Sequence, residues 1–593
     1  MVKLKIDRQQ IKVPEGTTIM EAATSIGINI PHLCFLKDIN NIGACRVCVV
    51  ENVGTQRLMS SCNTECEDGM DILTNSPRVR WSREYNVKLM LSEHDCFCAM
   101  CVRSGNCELQ TLANDFGITQ FPYKQDPDAF NWNPVLPLIK DDGKCVKCMR
   151  CIQVCDKVQG LKVWDLIGSG PYQSVGVRDG ESLMDVNCTL CGQCITHCPV
   201  GALRERNDVD EMWEALADPE KITIVQVAPA VRTAWGESVG VSKEKATLGR
   251  MVSALRKLGF DYIFDTDYSA DLTIMEEGSE FIERFTHKEE YQWPMFTSCC
   301  PGWVRFAKME YPDMVKNLST AKSPQQMFGA MIKTYVAKKL DVDPSKIFSV
   351  SIMPCTAKKY ERGVEEINDA GYGSDVDCVL TTREISRMMR AYHVNPDTLK
   401  NEEFDEIFGE GSGAGVIFGA TGGVMEAALR SAYFLLTGEN TDADAFKDVR
   451  GLKGWKEAEF DIKGTGVRVA VASGLANTRQ LIEAIRSGEV EYDFVEIMAC
   501  PGGCSGGGGQ PIVEGEEMAG PRGEILYGLD RNLPTRFSHE NSAVQMTYKE
   551  FLGKPNSKKA HKYLHTDIES WNLQITEDNH GEQMMIARDR SNK

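Results

Sequence analysis

A chain of 593 residues, 42% of them hydrophobic, holds enough material for several buried cores, which excludes a single small domain and predicts roughly four. Its 85 acidic against 66 basic residues leave a formal net charge of -19, so a nucleic-acid partner or an anionic membrane surface would be repelled overall. No window offers a long uncharged apolar run, and MVKLKIDRQQ at the start has neither an apolar signal core nor a twin-arginine pair, so a cytoplasmic protein that stays out of the membrane is expected.

The 23 cysteines are better explained as metal ligands than as disulfides in such a protein, because reduced thiols recur in close groups. Seventeen precede residue 200, and the other six are Cys299, Cys300, Cys355, Cys378, Cys500 and Cys504. Alternating apolar positions at Val2, Leu4 and Ile6, then at Ile11 and Val13, predict a two-strand hairpin. Thr18 with Glu21 forms a capping box ahead of Ala22, Ala23 and Ile26, so a helix follows. Cys34, Cys45, Cys48 and Cys62 come next, a set that suits a 2Fe-2S centre better than zinc, whose ligands usually form two close pairs.

The second group, His94, Cys98, Cys101 and Cys107, has imidazole in place of one thiolate and suits a 4Fe-4S cluster. Cys66 and Cys96 are left over as inert thiols. The third group is Cys145, Cys148, Cys151 and Cys155, then Cys188, Cys191, Cys194 and Cys198 followed by Pro199, the two-cluster pattern of bacterial ferredoxins. In that pattern the fourth cysteine of each run ligates the other cluster, so Cys145, Cys148, Cys151 and Cys198 hold one centre and Cys188, Cys191, Cys194 and Cys155 the second. Asp156 stands where the first run would ordinarily carry proline.

From residue 220 onward the apolar runs ITIVQVAPA, DYIFDTD, FSVSIMPC, VRVAVASG and FVEIMAC read as buried parallel strands. Helices lie between them: Ser323 and Pro324 suit an N-cap and first helical position, and Thr478 to Ser487 ends at Gly488. The rear of the chain is therefore α/β, and Cys299, Cys300, Cys355 and Cys500 fall at strand carboxyl ends, where such sheets gather ligands.

The front module's cysteine spacing resembles the N-terminal ferredoxin-like module of the large peripheral subunit of respiratory complex I, which implies a β-grasp. TSCCPGW at 297–303, MPCTAKKYE at 353–361 and EIMACPGGCSGGGGQP at 496–511 resemble the three signature segments of iron-iron hydrogenases. The likeness continues through APAVR at 228–232 and SGAGVIFGATGGVMEAALRSA at 412–432, and the modules stand in the order of the large clostridial-type enzymes. It implies a multidomain α+β and α/β protein: 1–78 a β-grasp 2Fe-2S domain, 79–125 a histidine-ligated 4Fe-4S domain, 126–215 a two-cluster ferredoxin-like domain, and 216–554 a large α/β catalytic domain with two lobes around a diiron cluster. Residues 555–593 are read as a C-terminal tail on the surface or docking a partner.

By the same resemblance, Cys300, Cys355, Cys500 and Cys504 hold a 4Fe-4S cubane, and Cys504 bridges it to a diiron unit with carbonyl, cyanide and azadithiolate ligands. Together these form the H-cluster, served by three accessory 4Fe-4S clusters and one 2Fe-2S cluster. Cyanide in a dry pocket needs a donor, which gives Lys358 a use; Met353 and Met498 would fill space beside the diiron unit, and Pro229 and Gln325 match positions lining it. Glycines at 502, 503 and 506 to 509 would let backbone approach the cofactor. Splitting dihydrogen releases a proton that must leave a buried site, and Cys299, Glu277, Ser319, Glu280 and Arg284 match the family's relay, with Glu277 and Glu280 on one helical face.

The activity so implied is reversible oxidation of dihydrogen to protons and electrons. The electrons would pass to ferredoxin, or to flavin- and NAD(P)-binding and 2Fe-2S partner subunits of a hetero-oligomeric bifurcating complex; both arrangements stay open. The alternative is a hydrogen sensor or a non-catalytic iron-sulfur electron-transfer subunit, against which Cys299 and the two glutamates count.

Overall fold

The computed structural model describes residues 1–575 apart from 121, 122, 410 and 463; the last part of the expected tail, 576–593, lies outside the described residues. The predicted hairpin is β1 (Val2–Ile6) and β2 (Gln9–Val13), joined by β3 (Val49–Asn52), β4 (Arg57–Ser60) and β5 (Asp71–Leu73) into a mixed sheet of order β2-β1-β5-β3-β4. The helix Ile19–Ser25 covers it and starts at the expected capping box: Thr18 accepts from the Glu21 N–H, and the Glu21 carboxylate accepts from the Thr18 N–H at 2.9 Å. The long helix Pro77–Glu93 ends at His94.

The ferredoxin-like region contributes two short antiparallel pairs, β6 (Leu138–Lys140) with β9 (Leu203–Glu205) and β7 (Trp164–Ile167) with β8 (Ser174–Val177). Where Asp156 replaces proline, the chain runs through a π-helical turn, Val154–Val158, and reverses at Gly160. Proline would remove an N–H from that turn.

The rear of the chain builds two four-stranded sheets. The first is wholly parallel, in the order β11-β10-β13-β14, from β10 (Ile222–Val227), β11 (Tyr262–Asp265), β13 (Ile347–Met353) and β14 (Cys378–Thr381). Every residue of β13 is buried, as a central strand covered on both faces requires, and each large apolar side chain so buried contributes roughly 1.5–3 kcal/mol. The second sheet, β12-β17-β16-β15, is formed by β12 (Met295–Phe296), β15 (Trp455–Ile462), β16 (Thr465–Ser473) and β17 (Phe494–Met498). It is parallel except for β15, which pairs antiparallel with β16. All five predicted strands are present; β12, β14 and β15 come in addition.

The Ser323 cap and Pro324 start are as expected. The later helix runs Leu475–Arg486, beginning three residues before Thr478, because Gly474 turns the chain at φ +80° and the Thr478 hydroxyl donates back to the Gly474 carbonyl at 3.2 Å. The expectation of a surface tail from 555 is corrected through residue 575. The helix Lys558–Leu564 buries Ala560 and Leu564, and the next residues bridge to Ala321 and bury Ile568 and Trp571. Lys308 donates to the carbonyls of Ile568, Glu569 and Trp571, and Arg305 to that of Leu573, so two core cations hold the segment's backbone. Among the described residues no helix is long and apolar enough to cross a membrane.

Candidate active site

The two rear sheets point their carboxyl ends at one region. Cys299 and Cys300 follow β12, with Cys300 capping the helix Pro301–Glu310; Cys355 follows β13; Cys500 follows β17; and Cys504 lies on the turn Gly503–Gly506. A cavity of about 80 Å³ opens there, lined by Cys299, Cys300, Cys355 and Cys504 and by all five pocket residues singled out from sequence, Pro229, Gln325, Met353, Lys358 and Met498. Cys500 closes the thiol set from behind: burial, then the thiols of Cys191, Cys355, Cys300 and Cys504, push its acidity well below the ordinary. Cys355, Cys500 and Cys504 are destabilised there as isolated anions, and iron bound to them would remove that cost. The donor set and the bare, mostly apolar cavity beside it therefore fit a cubane with a second metal group attached.

Lys358 is buried at the wall. Its ammonium donates to the Cys299 carbonyl at 3.2 Å and to Glu361 at 2.8 Å; burial alone would lower its pKa, but the Glu361 charge, the bond to it and the nearby thiols more than offset this. The same Glu361 oxygen accepts from Ser323 at 2.9 Å and from the Gln325 amide at 3.1 Å, so one fully buried carboxylate orients two pocket-lining side chains. Glu361 was not singled out from sequence; its place three residues after Lys358 within MPCTAKKYE is the signal that could have found it.

The glycines of 506–509 also serve close packing within the protein. A Cβ at Gly507 would stand 2.1 Å from the Pro354 carbonyl, and one at Gly508 would stand 2.3 Å from that of Cys191. These glycines let the loop carrying Cys504 press against protein backbone, including a ligand loop of the ferredoxin-like region. The Cys500 thiol is 3.8 Å from the same Cys191 carbonyl.

Behind the cavity, Glu277, Glu280 and Arg284 lie on one buried side of the helix Asp267–Thr286. Ser319 donates to Glu280 at 2.8 Å, and Arg284 pairs with Glu280 at 2.5 Å. Burial, then the charges of Glu277 and Cys300, push the Cys299 thiol well above its ordinary range. Glu277 is fully buried with no well-formed hydrogen bond to either oxygen. Burial, then Glu280, push its carboxyl up to about 8, only partly offset by Ser319 and the Ser298 amide. Glu277, Glu280 and Ser319 thus stand together behind Cys299, and burial brings the Glu277 carboxyl to about 8.

That shift has a consequence for stability. The folded chain holds the Glu277 proton where the unfolded chain, with an ordinary carboxyl near 4.5, has lost it. The contribution is full below that value and is lost as pH rises through about 8. Glu277→Gln is expected to flatten this decline, measured as thermal midpoints between about pH 5 and 9; a variant that declines as steeply as the parent would contradict the shift.

The accessory groups also assemble. Cys34 and Cys45 share a hydrogen bond that lowers the pKa of Cys45 to about 5, Cys48 is similarly brought to about 7 by Cys62, and all four thiols feel one another. His94 is buried with its Nδ1 lacking any partner, and burial lowers its pKa, which leaves the neutral ring that metals bind. A second cavity is lined by Cys145, Cys148, Cys151 and Cys198 together. Cys194 is surrounded by Cys191, Cys188, Cys151 and Cys155. The exchange of fourth cysteines expected from sequence is therefore what the fold brings together. Cys66 and Cys96 are pushed by burial up to about 11, and Cys378 is buried on β14.

Grouped thiols along the front of the chain and an apolar-walled pocket lined by further cysteines define the class of iron-sulfur redox enzymes. Residues 221–508 match the family model "Iron only hydrogenase large subunit, C-terminal domain". A 2Fe-2S iron-sulfur cluster binding domain matches 1–77, the NADH-ubiquinone oxidoreductase-G iron-sulfur binding region 83–121, a 4Fe-4S dicluster domain 144–202, and the iron hydrogenase small subunit 516–570. The chain is 46% identical to the NADP-reducing hydrogenase subunit HndD of Solidesulfovibrio fructosivorans, over 95% of this chain and 98% of that protein. It is 40% identical to Iron hydrogenase 1 of Clostridium pasteurianum, over 95% and 99%. The apo [FeFe]-hydrogenase HydA1 of Chlamydomonas reinhardtii superposes with a TM-score of 0.55 at 41% identity, covering 61% of this chain and 98% of that one. The chain belongs to the iron-only hydrogenase family. It is a hydrogenase with 2Fe-2S and 4Fe-4S domains ahead of an H-cluster domain, working between dihydrogen and an electron carrier.

Proposed function

We propose that this hydrogenase splits and forms dihydrogen in the pocket lined by Pro229, Gln325, Met353, Lys358 and Met498, with Cys300, Cys355, Cys500 and Cys504 as ligands of the H-cluster. The convergence of those side chains on one cavity at the ends of two sheets is the observation that carries the reading. When bound, the diiron group supplies the metal centre for heterolysis. Cys299 takes up or returns the proton at its thiol, Glu277 exchanges it at a carboxyl, and Ser319 and Glu280 carry it toward Arg284 and solvent. Lys358, held by Glu361 at the pocket wall, would supply a positive charge to the anionic ligands of the bound group, and the apolar walls would keep water out.

Cys155, Cys188, Cys191 and Cys194 would hold the cluster that exchanges electrons with the active site, an order supported by the Cys191–Cys500 approach, and Cys145, Cys148, Cys151 and Cys198 would hold the next one outward. The outer ligand sets are His94, Cys98, Cys101 and Cys107 for a 4Fe-4S cluster and Cys34, Cys45, Cys48 and Cys62 for the 2Fe-2S cluster. We assign the modules to 1–78, 79–125, 126–215 and 216–554, with the packed segment to 575 joining the last. The acceptor is ferredoxin or a flavin- and NAD(P)-binding partner within a complex; the likeness to a protein named as a subunit of an NADP-reducing hydrogenase supports the second. A cytoplasmic setting suits the 19 of 23 cysteines that are assigned as iron ligands and must stay reduced to meet iron.

Infrared spectra of protein matured with the diiron group test the reading. Carbonyl and cyanide bands that shift under dihydrogen are expected; fully matured protein without responsive bands would leave only an electron carrier.

A further inference from the structure

The carboxamide of Asn40 is fully buried where the 2Fe-2S module meets the ferredoxin-like region. Its Nδ2 donates to the Cys34 carbonyl at 2.9 Å and to the Cys148 carbonyl at 3.0 Å, the latter 108 residues away. Both amide hydrogens are therefore used, while Oδ1 accepts nothing. That fixes the orientation, because a turned amide would set its oxygen against two carbonyl oxygens. The residue is itself clamped by two backbone bonds with Leu36, at 2.8 and 2.9 Å, so the donor is rigid.

Each carbonyl belongs to a cysteine assigned to a different cluster, Cys34 to the 2Fe-2S centre and Cys148 to a 4Fe-4S centre. We propose that Asn40 is the electronic bridge between these two centres: a positioning residue whose amide closes the route from the Cys148 thiolate and backbone, through two hydrogen bonds, to the backbone and thiolate of Cys34. Hydrogen-bonded links transmit electronic coupling better than an open gap of equal length, and bonds to a ligand's own residue also fix the ligand. The step is a single electron leaving the reduced 4Fe-4S cluster and reducing the oxidised 2Fe-2S cluster, with no bond made and no proton moved. The bridge gives the 2Fe-2S module its own junction with the ferredoxin-like region. The histidine-bearing module makes a separate one, through Arg103, which donates to the Cys198 carbonyl at 2.9 Å. The inference rests on the ligand assignment proposed above.

A second bond across the same junction supplies the control. Exposed Lys157 donates to the Ile39 carbonyl at 2.6 Å, and not to the backbone of a cluster cysteine. The full-length matured enzyme, its Asn40→Leu variant and its Lys157→Ala variant are oxidised, mixed with dihydrogen and freeze-quenched, and the growth of the 2Fe-2S paramagnetic signal is followed. Asn40→Leu is expected to slow that growth about ten-fold, with the dithionite-reduced spectrum still showing both cluster types, and Lys157→Ala to leave it unchanged. Asn40→Gln, which keeps both hydrogens, should recover part of the rate. Growth at the parent rate in Asn40→Leu would overturn the proposal, as would equal slowing in both Asn40→Leu and Lys157→Ala, since docking alone would then explain the effect. Parent protein whose reduced spectrum lacks a 2Fe-2S signal would instead sink the ligand assignment.

Discussion

Replacing Cys299 by alanine is expected to lower dihydrogen turnover by about 10²–10⁴-fold, the range for losing a positioned proton-transfer group, while the carbonyl and cyanide bands of the bound diiron group persist. The thiol lines the cavity, and Glu277 behind it is near enough for its charge to raise the thiol's pKa. Of the other protic side chains lining the cavity among the described residues, Lys358 is committed to Glu361 and the Cys299 carbonyl, and Gln325 to Glu361, the Lys358 carbonyl and Ser351. Thr266 donates to Gln226 at 3.2 Å, away from the glutamates. No lining group duplicates the Cys299 path. Loss of hydrogen isotope exchange between dihydrogen and water, measured with dye reduction, checks this. Near-parental exchange in a fully loaded variant would mean that protons leave by another route.

The ligand groups were legible because cluster-binding cysteines lie close in sequence: two spacings of two residues tie Cys145, Cys148 and Cys151 together, and only Cys198 must come from afar. The strands of the first sheet were legible for the related reason that buried parallel strands are continuous apolar runs. β12, with two residues, is too short to stand out, and β15 alternates charged with apolar residues at the outer edge of its sheet. The packing of 558–575 was hidden because its anchors are backbone carbonyls gripped by Lys308 and Arg305, and a carbonyl carries no sequence signature. Asn40 was invisible for the same reason. The relay was traceable only through family resemblance, since a buried glutamate and a solvated one are the same letter; what distinguishes Glu277 is the packing around it.

Glu361 shows what such packing implies for the pocket. Glu361→Ala should lower unfolding stability by about 3–5 kcal/mol, because it strands the buried Lys358 ammonium and leaves the Ser323 hydroxyl and Gln325 amide without their shared acceptor. Glu361→Gln, which keeps one acceptor but no charge, should lose less. Replacing both partners, as Lys358→Met with Glu361→Leu, removes the stranded charge along with the pair, and such exchanges often restore stability. Chemical unfolding and iron counting then report separate properties. Recovered stability with poor retention of the diiron group is expected if Lys358 serves the anionic ligands and Glu361 serves Lys358. Recovery of both would reduce the pair to a structural strut, and the pocket would need another source of positive charge.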